Sequence, residues 1–317
     1  MSTVPPLEWL APGRGPIAAR SPLQLFAARL RGDRLALAGL AFVALIVLTA
    51  LLAPLIQQVA GAPGPTLQDG AALDPVYGTP TGPSAEHLLG VDERGRDVFS
   101  RLLFGARTSL QVALVATALA VGLGVAAGLL AGYYRGWVDT LIARSIDLVL
   151  SFPILLLALG LGVACSGREG CLGGALEPGV ELVVVMIVFV GWSPVARLVR
   201  GQVLSLREES FVEAAVCLGA GGRRIMLREI LPNLAGPIIV MSTLLLPINV
   251  LFEAALSFLG VGIQPPDPSW GQMIADATDS FDLAWWALAF PGAALLLTVL
   301  AFNLVGDGLQ DALHPRA

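Results

Sequence analysis

The chain has 317 residues, 56% of them hydrophobic and 14% charged, with a formal net charge of −5 and a mean hydropathy of +0.77. Soluble domains are about half apolar and a quarter charged, so both departures point to lipid as the solvent. Six windows carry no charge: Leu35–Ile56, Thr108–Tyr134, Leu148–Ser166, Leu182–Ala196, Ile230–Phe252 and Leu283–Gly306. A bilayer core of roughly 30 Å takes about 20 apolar residues of helix, and in lipid every backbone N–H and C=O must be paired within its segment. The expectation is an all-α integral membrane protein with six spans, near 36–56, 108–131, 143–164, 181–200, 236–258 and 285–306. A membrane barrel is excluded, because its ~10-residue alternating strands are missing. A cleavable signal peptide does not fit a first apolar run that begins 35 residues in and is long enough to span.

In chain order, residues 1–34 read as a Pro-, Gly- and Arg-rich cytoplasmic tail with an amphipathic lead-in near Leu23–Leu30, and residues 35–317 as the membrane domain. The first span is followed by an outer loop, 57–107, whose first half is full of turn-forming residues. From Val98 the pattern changes. Val98, Leu102, Leu103 and Ala106 repeat at helical spacing among Arg94, Arg96, Arg101 and Arg107, which predicts a helix lying in the outer interface before the second span. Asp92, Arg96 and Asp97 mark this outer elbow, either as a local ion-pair cluster or as a contact for an external partner. The second span carries Gly122, Gly124, Gly128 and Gly132, a small-residue pattern that lets helices pack closely. Pro153, Pro194 and Pro247 each remove a helical hydrogen bond and can kink a span. Cys165 and Cys171, in the outer stretch CSGREGC, are candidates for a small-loop disulfide. With no His nearby they make a poor metal site.

All nineteen basic residues are Arg. With the N-terminus inside, the inner segments 1–35, 132–144, 197–235 and 307–317 hold fourteen of them and the outer segments five, as the positive-inside rule requires. Both termini are therefore placed on the cytoplasmic side. Asp147, about one turn into the third span, and Glu253, toward the outer end of the fifth, are ionisable groups at depth, which tend to face a cavity or a partner. Glu253 and Asp147 are candidates for the translocation path or its gate; the alternative for Glu253 is an interface-level structural pair, and for Asp147 a local pair with Arg144.

The connection 197–235 carries six Arg. Ser210-Phe-Val-Glu213 has the form of a capping box, and Gly219 suits a left-handed helix stop. Gly221-Gly222 leads to a second short helix over Arg223–Ile230 that ends by Pro232. This predicts a helix–turn–helix corner on the inner face. Glu213-Ala214-Ala215-x3-Gly219, with Leu231-Pro232 following, resembles the EAA loop of permease subunits in ABC importers. Five further stretches resemble the C-type subunit of the dipeptide/oligopeptide/nickel permease group. They are GVDERGRDVFSRLLFGARTSL (Gly90–Leu110), GWVDTLIARSIDLVLSFP (Gly136–Pro153), ARLVRGQVLSLRE (Ala196–Glu208), EAALSFLGVGIQPPDPSWGQMI (Glu253–Ile274) and LAFNLVGDGLQDALHP (Leu300–Pro315). One departure is Glu229, which stands where an apolar residue usually precedes Leu-Pro.

The resemblance implies a type I importer transmembrane domain in the bacterial cytoplasmic (inner) membrane, forming half of a translocation path for peptides or a similar small solute. It implies a homologous B-type permease as heterodimer partner, two ABC ATPase subunits holding ATP and Mg, and an extracytoplasmic substrate-binding protein, with no cofactor on this chain and no nucleic acid. In that family the EAA loop sits in a groove of the ATPase. This assigns Glu213, Ala214, Ala215, Gly219, Ala220, Arg223, Arg224, Leu231 and Pro232 to docking, although topology alone also explains the arginines. No G-x-x-x-x-G-K-[ST] phosphate loop, HExxH or GxSxG occurs, so no catalytic residue is assigned and ATP hydrolysis is expected in partner chains. The alternative is a self-sufficient channel or secondary transporter, which predicts transport without ATPases. A membrane-embedded enzyme is disfavoured, since the only histidines are His87 and His314 and the spans hold no paired acids.

Overall fold

The computed structural model describes residues 30–165 and 179–313. Cys171, His314 and the lead-in near Leu23–Leu30, Leu30 excepted, lie outside them. The described residues are almost wholly helical, and their β pairing is limited to two isolated bridges, Leu73 with Pro80 and Val91 with Asp97.

Helix α1, Arg34–Leu51, starts on Asp33, whose Oδ1 accepts from the N–H groups of Leu35 and Ala36. Leu52 separates it from the short α2, Ala53–Val59. Helix α3, Val98–Tyr134, is continuous over 37 residues, about 55 Å at 1.5 Å per residue. The expected interfacial helix and the second span are therefore one element. Val98 and Ala106 bury themselves in a protein core with Trp270 and Trp286, so they need no lipid surface and the helix has no cause to turn.

The third span departs most from expectation. Helices α4, Gly136–Ser151, and α5, Ile154–Cys165, meet at a bend of 87°. Pro153 lacks an N–H and drives its predecessor out of the helical region, and Phe152 sits at φ −90°, ψ 142°. Five described helices are long and apolar enough to cross a bilayer, and the bent pair makes a sixth if counted as one span. Cys165, at the end of α5, takes part in a disulfide. Helix α6, Val180–Leu206, continues through Pro194. Proline cannot donate to the Val190 carbonyl, and Ser193 Oγ donates to it instead at 2.8 Å.

The inner connection holds α7, Ser210–Cys217, α8, Gly222–Arg224, a π-helical turn, Ile225–Ile230, and α9, Leu231–Asn233. Then follow α10, Ala235–Phe258, the short outer α11, Trp270–Asp276, and α12, Trp285–Leu313. The centre of the fold is the pair α3 and α6, on which α10 packs, with α12 and α1 outside it. Gly124, Gly128 and Gly132 face Val195, Val199 and Val203 along the α3–α6 seam, whereas Gly122 has nothing within 4 Å. Exposed Tyr134 lies at the inner end of α3, exposed Trp137 at the inner end of α4 and exposed Trp285 at the outer end of α12, where interfacial aromatics belong.

Candidate functional site

The inner corner hangs from α6. Just past it, Arg207 Nη1 donates to Tyr133 O at 2.7 Å and the guanidinium lies over the Tyr133 ring, 5.6 Å from its centroid. The expected capping box is not formed. Glu209 occupies the cap position in extended conformation, no side chain caps the helix, and Ser210 is its first residue. The acid that precedes Ser210 supplies the extended turn from Arg207, which leaves Ser210 one position too late to cap. At the far end the expectation holds. Gly219 stands at φ +77°, Ala220 N–H donates to Ala215 O at 3.0 Å and Gly219 N–H to Val216 O at 2.9 Å. These two bonds form a Schellman stop. Gly222 lies so close to Tyr133 that a Cβ there would stand 2.8 Å from the ring.

Beneath the corner, Val212, Ile225, Ile230 and Leu234 are buried with Val199 and Val203. This core explains the length of the second helical stretch. It runs on through Pro232 to Asn233 because Ile230 and Leu234 must both reach the same core. Glu213, Ala214, Gly219, Arg223, Arg224 and Pro232 are exposed, whereas Ala215, Ala220 and Leu231 are half-buried against the inner core. Sequence reasoning passed over Phe211, Val216 and Leu218, large apolar side chains exposed on the corner, Leu218 to 87%. Their signal was present as apolar residues interleaved with the small ones, Phe211 and Leu218 standing seven residues apart. Val216 also lines a groove of about 480 Å³ with Tyr133, Arg207, Glu213 and the free thiol Cys217.

The outer elbow is a larger ion-pair cluster than the sequence suggested. Arg96 binds Asp92 at 2.6 Å and Asp276, from α11, at 2.7 Å. Arg101 lies 3.6 Å from Asp92 and 3.7 Å from Asp276, and Nη1 donates to Pro65 O at 3.3 Å. Asp97 turns away from Arg96, capping α3 through the Ser100 N–H at 2.7 Å and meeting His87 Nδ1 at 2.9 Å. Asp276 was not singled out because its partners Arg96 and Arg101 lie on another element, and the His87–Asp97 pair spans ten residues with no helical period to mark it.

Within the spans, Glu253 is fully enclosed. Its Oε1 accepts from Ser257 Oγ at 2.7 Å, and its Oε2 is buried without a hydrogen-bond partner among the described residues. Asp147 does not pair with Arg144; it binds Arg197 of α6 at 2.9 Å, because α6 runs antiparallel to α4 and sets Arg197 and Arg200 opposite Asp147 and Asp139. Arg200 grips Asp139 in a bidentate pair, Nε donating to Oδ1 and Nη2 to Oδ2. A groove of about 320 Å³ between α4, α5, α6 and α10 is almost wholly apolar. Its polar side chain is Asn249, which donates to Thr117 Oγ1 at 2.7 Å.

These helices carry a corner that protrudes at one end and a charged elbow at the other. The fold matches the structure titled "Inward facing conformations of the MetNI methionine ABC transporter", in its native crystal form, with a TM-score of 0.56 and 17% identity, covering 67% of this chain and 96% of that one. Residues 124–317 match the family described as "Binding-protein-dependent transport system inner membrane component", and residues 21–68 match the "N-terminal TM domain of oligopeptide transport permease C". The dipeptide transport system permease protein DppC of Alkalihalophilus pseudofirmus is 40% identical over 301 residues, 94% of this chain and 91% of that protein. The glutathione transport system permease protein GsiD of Escherichia coli is 39% identical over 301 residues, 95% of this chain and 93% of that one. The chain belongs to the dipeptide/oligopeptide family of ABC importer permeases, multi-pass proteins of the bacterial inner membrane.

Proposed function

We propose that this chain is the C-type half of a heterodimeric importer for short peptides or peptide-like solutes, driven by two cytoplasmic ATPase subunits that hold ATP and Mg and fed by an extracytoplasmic binding protein. Membership of the family implies a second permease, ATPases and a binding protein in general. The B-type partner, the two ATPases and the peptide substrate are this reading's own, supported by relatives named for dipeptide and glutathione transport.

The observation that carries the reading is the corner. Its Schellman stop holds Glu213, Ala214 and Gly219 outward together with exposed Phe211, Val216 and Leu218, an apolar patch that a water-exposed surface has no reason to keep unless a partner covers it. Small residues there let the ATPase surface approach, and Arg223 and Arg224 stand at its edge. ATP-driven closure of the ATPases would move both corners and turn the path from inward- to outward-facing. The path itself would run along the apolar groove of α4, α5, α6 and α10. Asp147 would act beside it through Arg197, and Glu253 would sit enclosed at the outer end of α10. A self-sufficient channel or secondary transporter is the competing reading. Reconstitution separates them: uptake should require the second permease, the ATPases and the binding protein together. Uptake by this chain alone would defeat the proposal.

A further inference from the structure

Two features of the outer face play no part in the inner corner or the apolar groove. The first is the turn over residues 74–80. Asp74 Oδ1 accepts from the N–H groups of Val76 and Tyr77, Asp74 N–H donates to Thr79 O and Gly78 N–H to Asp74 O, all at 2.8 Å. The backbone donors of Tyr77 and Val76 hold the Asp74 carboxyl below its ordinary range, so the turn keeps these bonds at neutral pH. The turn is also mounted firmly. Thr81 Oγ1 donates to Ala72 O at 2.6 Å, Val91 N–H to Thr81 O at 3.1 Å, and Trp286 Nε1 to Val91 O at 3.0 Å. This bonded platform nevertheless presents Val76 and Tyr77 at 78% and 81% exposure.

The second feature begins at the next residue, Asp92, and is a cleft of about 240 Å³ between the elbow and α11. Arg101 Nη2 and Ser280 Oγ both belong to residues lining it, and both atoms are buried without a hydrogen-bond partner among the described residues, Asp276 standing 3.7 Å from the former. Such groups each carry a desolvation penalty that an incoming acceptor removes. The cleft far exceeds the ~30 Å³ share of one water.

We propose that turn and cleft together form the docking surface for the extracytoplasmic binding protein. Val76 and Tyr77 enter an apolar recess of the partner, and the cleft receives a side chain bearing an uncharged acceptor oxygen, a carboxamide or a hydroxyl, because Glu93 and Asp279 at its rim oppose a carboxylate. The inference rests on the reading that this importer works with such a protein, and the positive-inside count puts both features on that protein's side of the membrane. A tyrosine held rigid before contact loses little conformational freedom on binding, and buried tyrosines with a polar surround are the usual anchors of interfaces. A lipid surface is the other occupant that a Val-Tyr tip suggests. Asp74 at the tip and Glu93 and Asp279 at the cleft oppose anionic headgroups.

The test uses the complete reconstituted transporter, with ATP hydrolysis followed against binding-protein concentration. Tyr77→Ala should raise the half-saturating concentration about tenfold. Ser280→Ala removes a hydroxyl that has no hydrogen-bond partner among the described residues, so thermal stability should hold while half-saturation rises about threefold. A photoreactive phenylalanine at position 77 should crosslink to the binding protein. Half-saturation equal to wild type in both variants, or a crosslink to lipid alone, overturns the docking surface and leaves the proposed function standing. Wild-type hydrolysis that ignores the binding protein defeats both.

Discussion

A methyl group on Gly128 would stand 2.7 Å from Val199 Cβ and 2.8 Å from Ala196 O, and one on Gly124 or Gly132 would stand 2.6 Å from Val195 Cβ or Val203 Cβ. Carbon atoms rest at about 3.5–4.0 Å, so alanine at any of the three must push α3 and α6 apart by about 1 Å. A gap of that size forfeits up to about half of each neighbouring dispersion contact, and overpacking a filled core costs about 1–3 kcal/mol. Gly122 provides the control. It lies on the same helix with nothing within 4 Å, so Gly122→Ala should cost nothing and gain up to about 1 kcal/mol from helix propensity. Thermal unfolding of the purified complex in detergent, followed by tryptophan fluorescence, compares the four variants. Opposite signs are expected for one chemical change. Equal effects at all four positions, or none at Gly124, Gly128 and Gly132, would refute the seam as the source of rigidity.

Gly219→Val places a β-branched residue at φ +77°, a cost of about 1–2 kcal/mol confined to an exposed corner with no neighbours to disturb. Insertion should survive and uptake fail, while Gly219→Asn, tolerant of that backbone, should transport; normal uptake by the valine variant at normal expression sinks the assignment. Asp276→Ala leaves Arg96 and Arg101 buried with one partner fewer, and unfolding should show a loss of about 3 kcal/mol; a change within about 0.5 kcal/mol, as at ordinary surface sites, contradicts the cluster. Asp139→Arg with Arg200→Asp should recover most of what either reversal loses in a double-mutant cycle. The coupling is expected near 0.5–1 kcal/mol because the pair is partly exposed, and strictly additive losses would show the pair to be incidental.

What the sequence displayed was what repeats locally. Uncharged windows, the four-residue glycine spacing and the Gly219 stop each depend on neighbours within a turn or two. What it hid was partner choice across the fold. Arg96 and Asp276 lie 180 residues apart, and nothing near either names the other. Asp147 had a plausible neighbour in Arg144, but the antiparallel course of α6 set Arg197 opposite it. Pro153 and Pro194 look alike in the chain. The first bends the path by 87°; the second leaves α6 unbroken because Ser193 satisfies the carbonyl that proline abandons. The missing capping box came down to one residue of register at Glu209.

In the proposed importer, the glycine seam bears on how force would reach the path. Tyr133, at the inner end of α3, receives the Arg207 hydrogen bond and the close approach of Gly222, so a displacement of the corner acts directly on α3. Along the seam, contacts this tight leave α3 and α6 no room to slide, and packed interiors transmit strain rather than absorb it. At the outer end of α3, Arg101 and the Asp97 cap tie the same helix to Asp276 and to the elbow. The slab of α3 and α6 would therefore move as one body between the inner corner and the outer cluster. Flexibility is left to the α4–α5 bend, whose helices are mostly exposed and whose hold on α6 is a set of partly solvated ion pairs, Asp139 with Arg200 and Asp147 with Arg197. Screened pairs of this kind separate at little cost, so the groove beside the bend can change width while the slab keeps its shape.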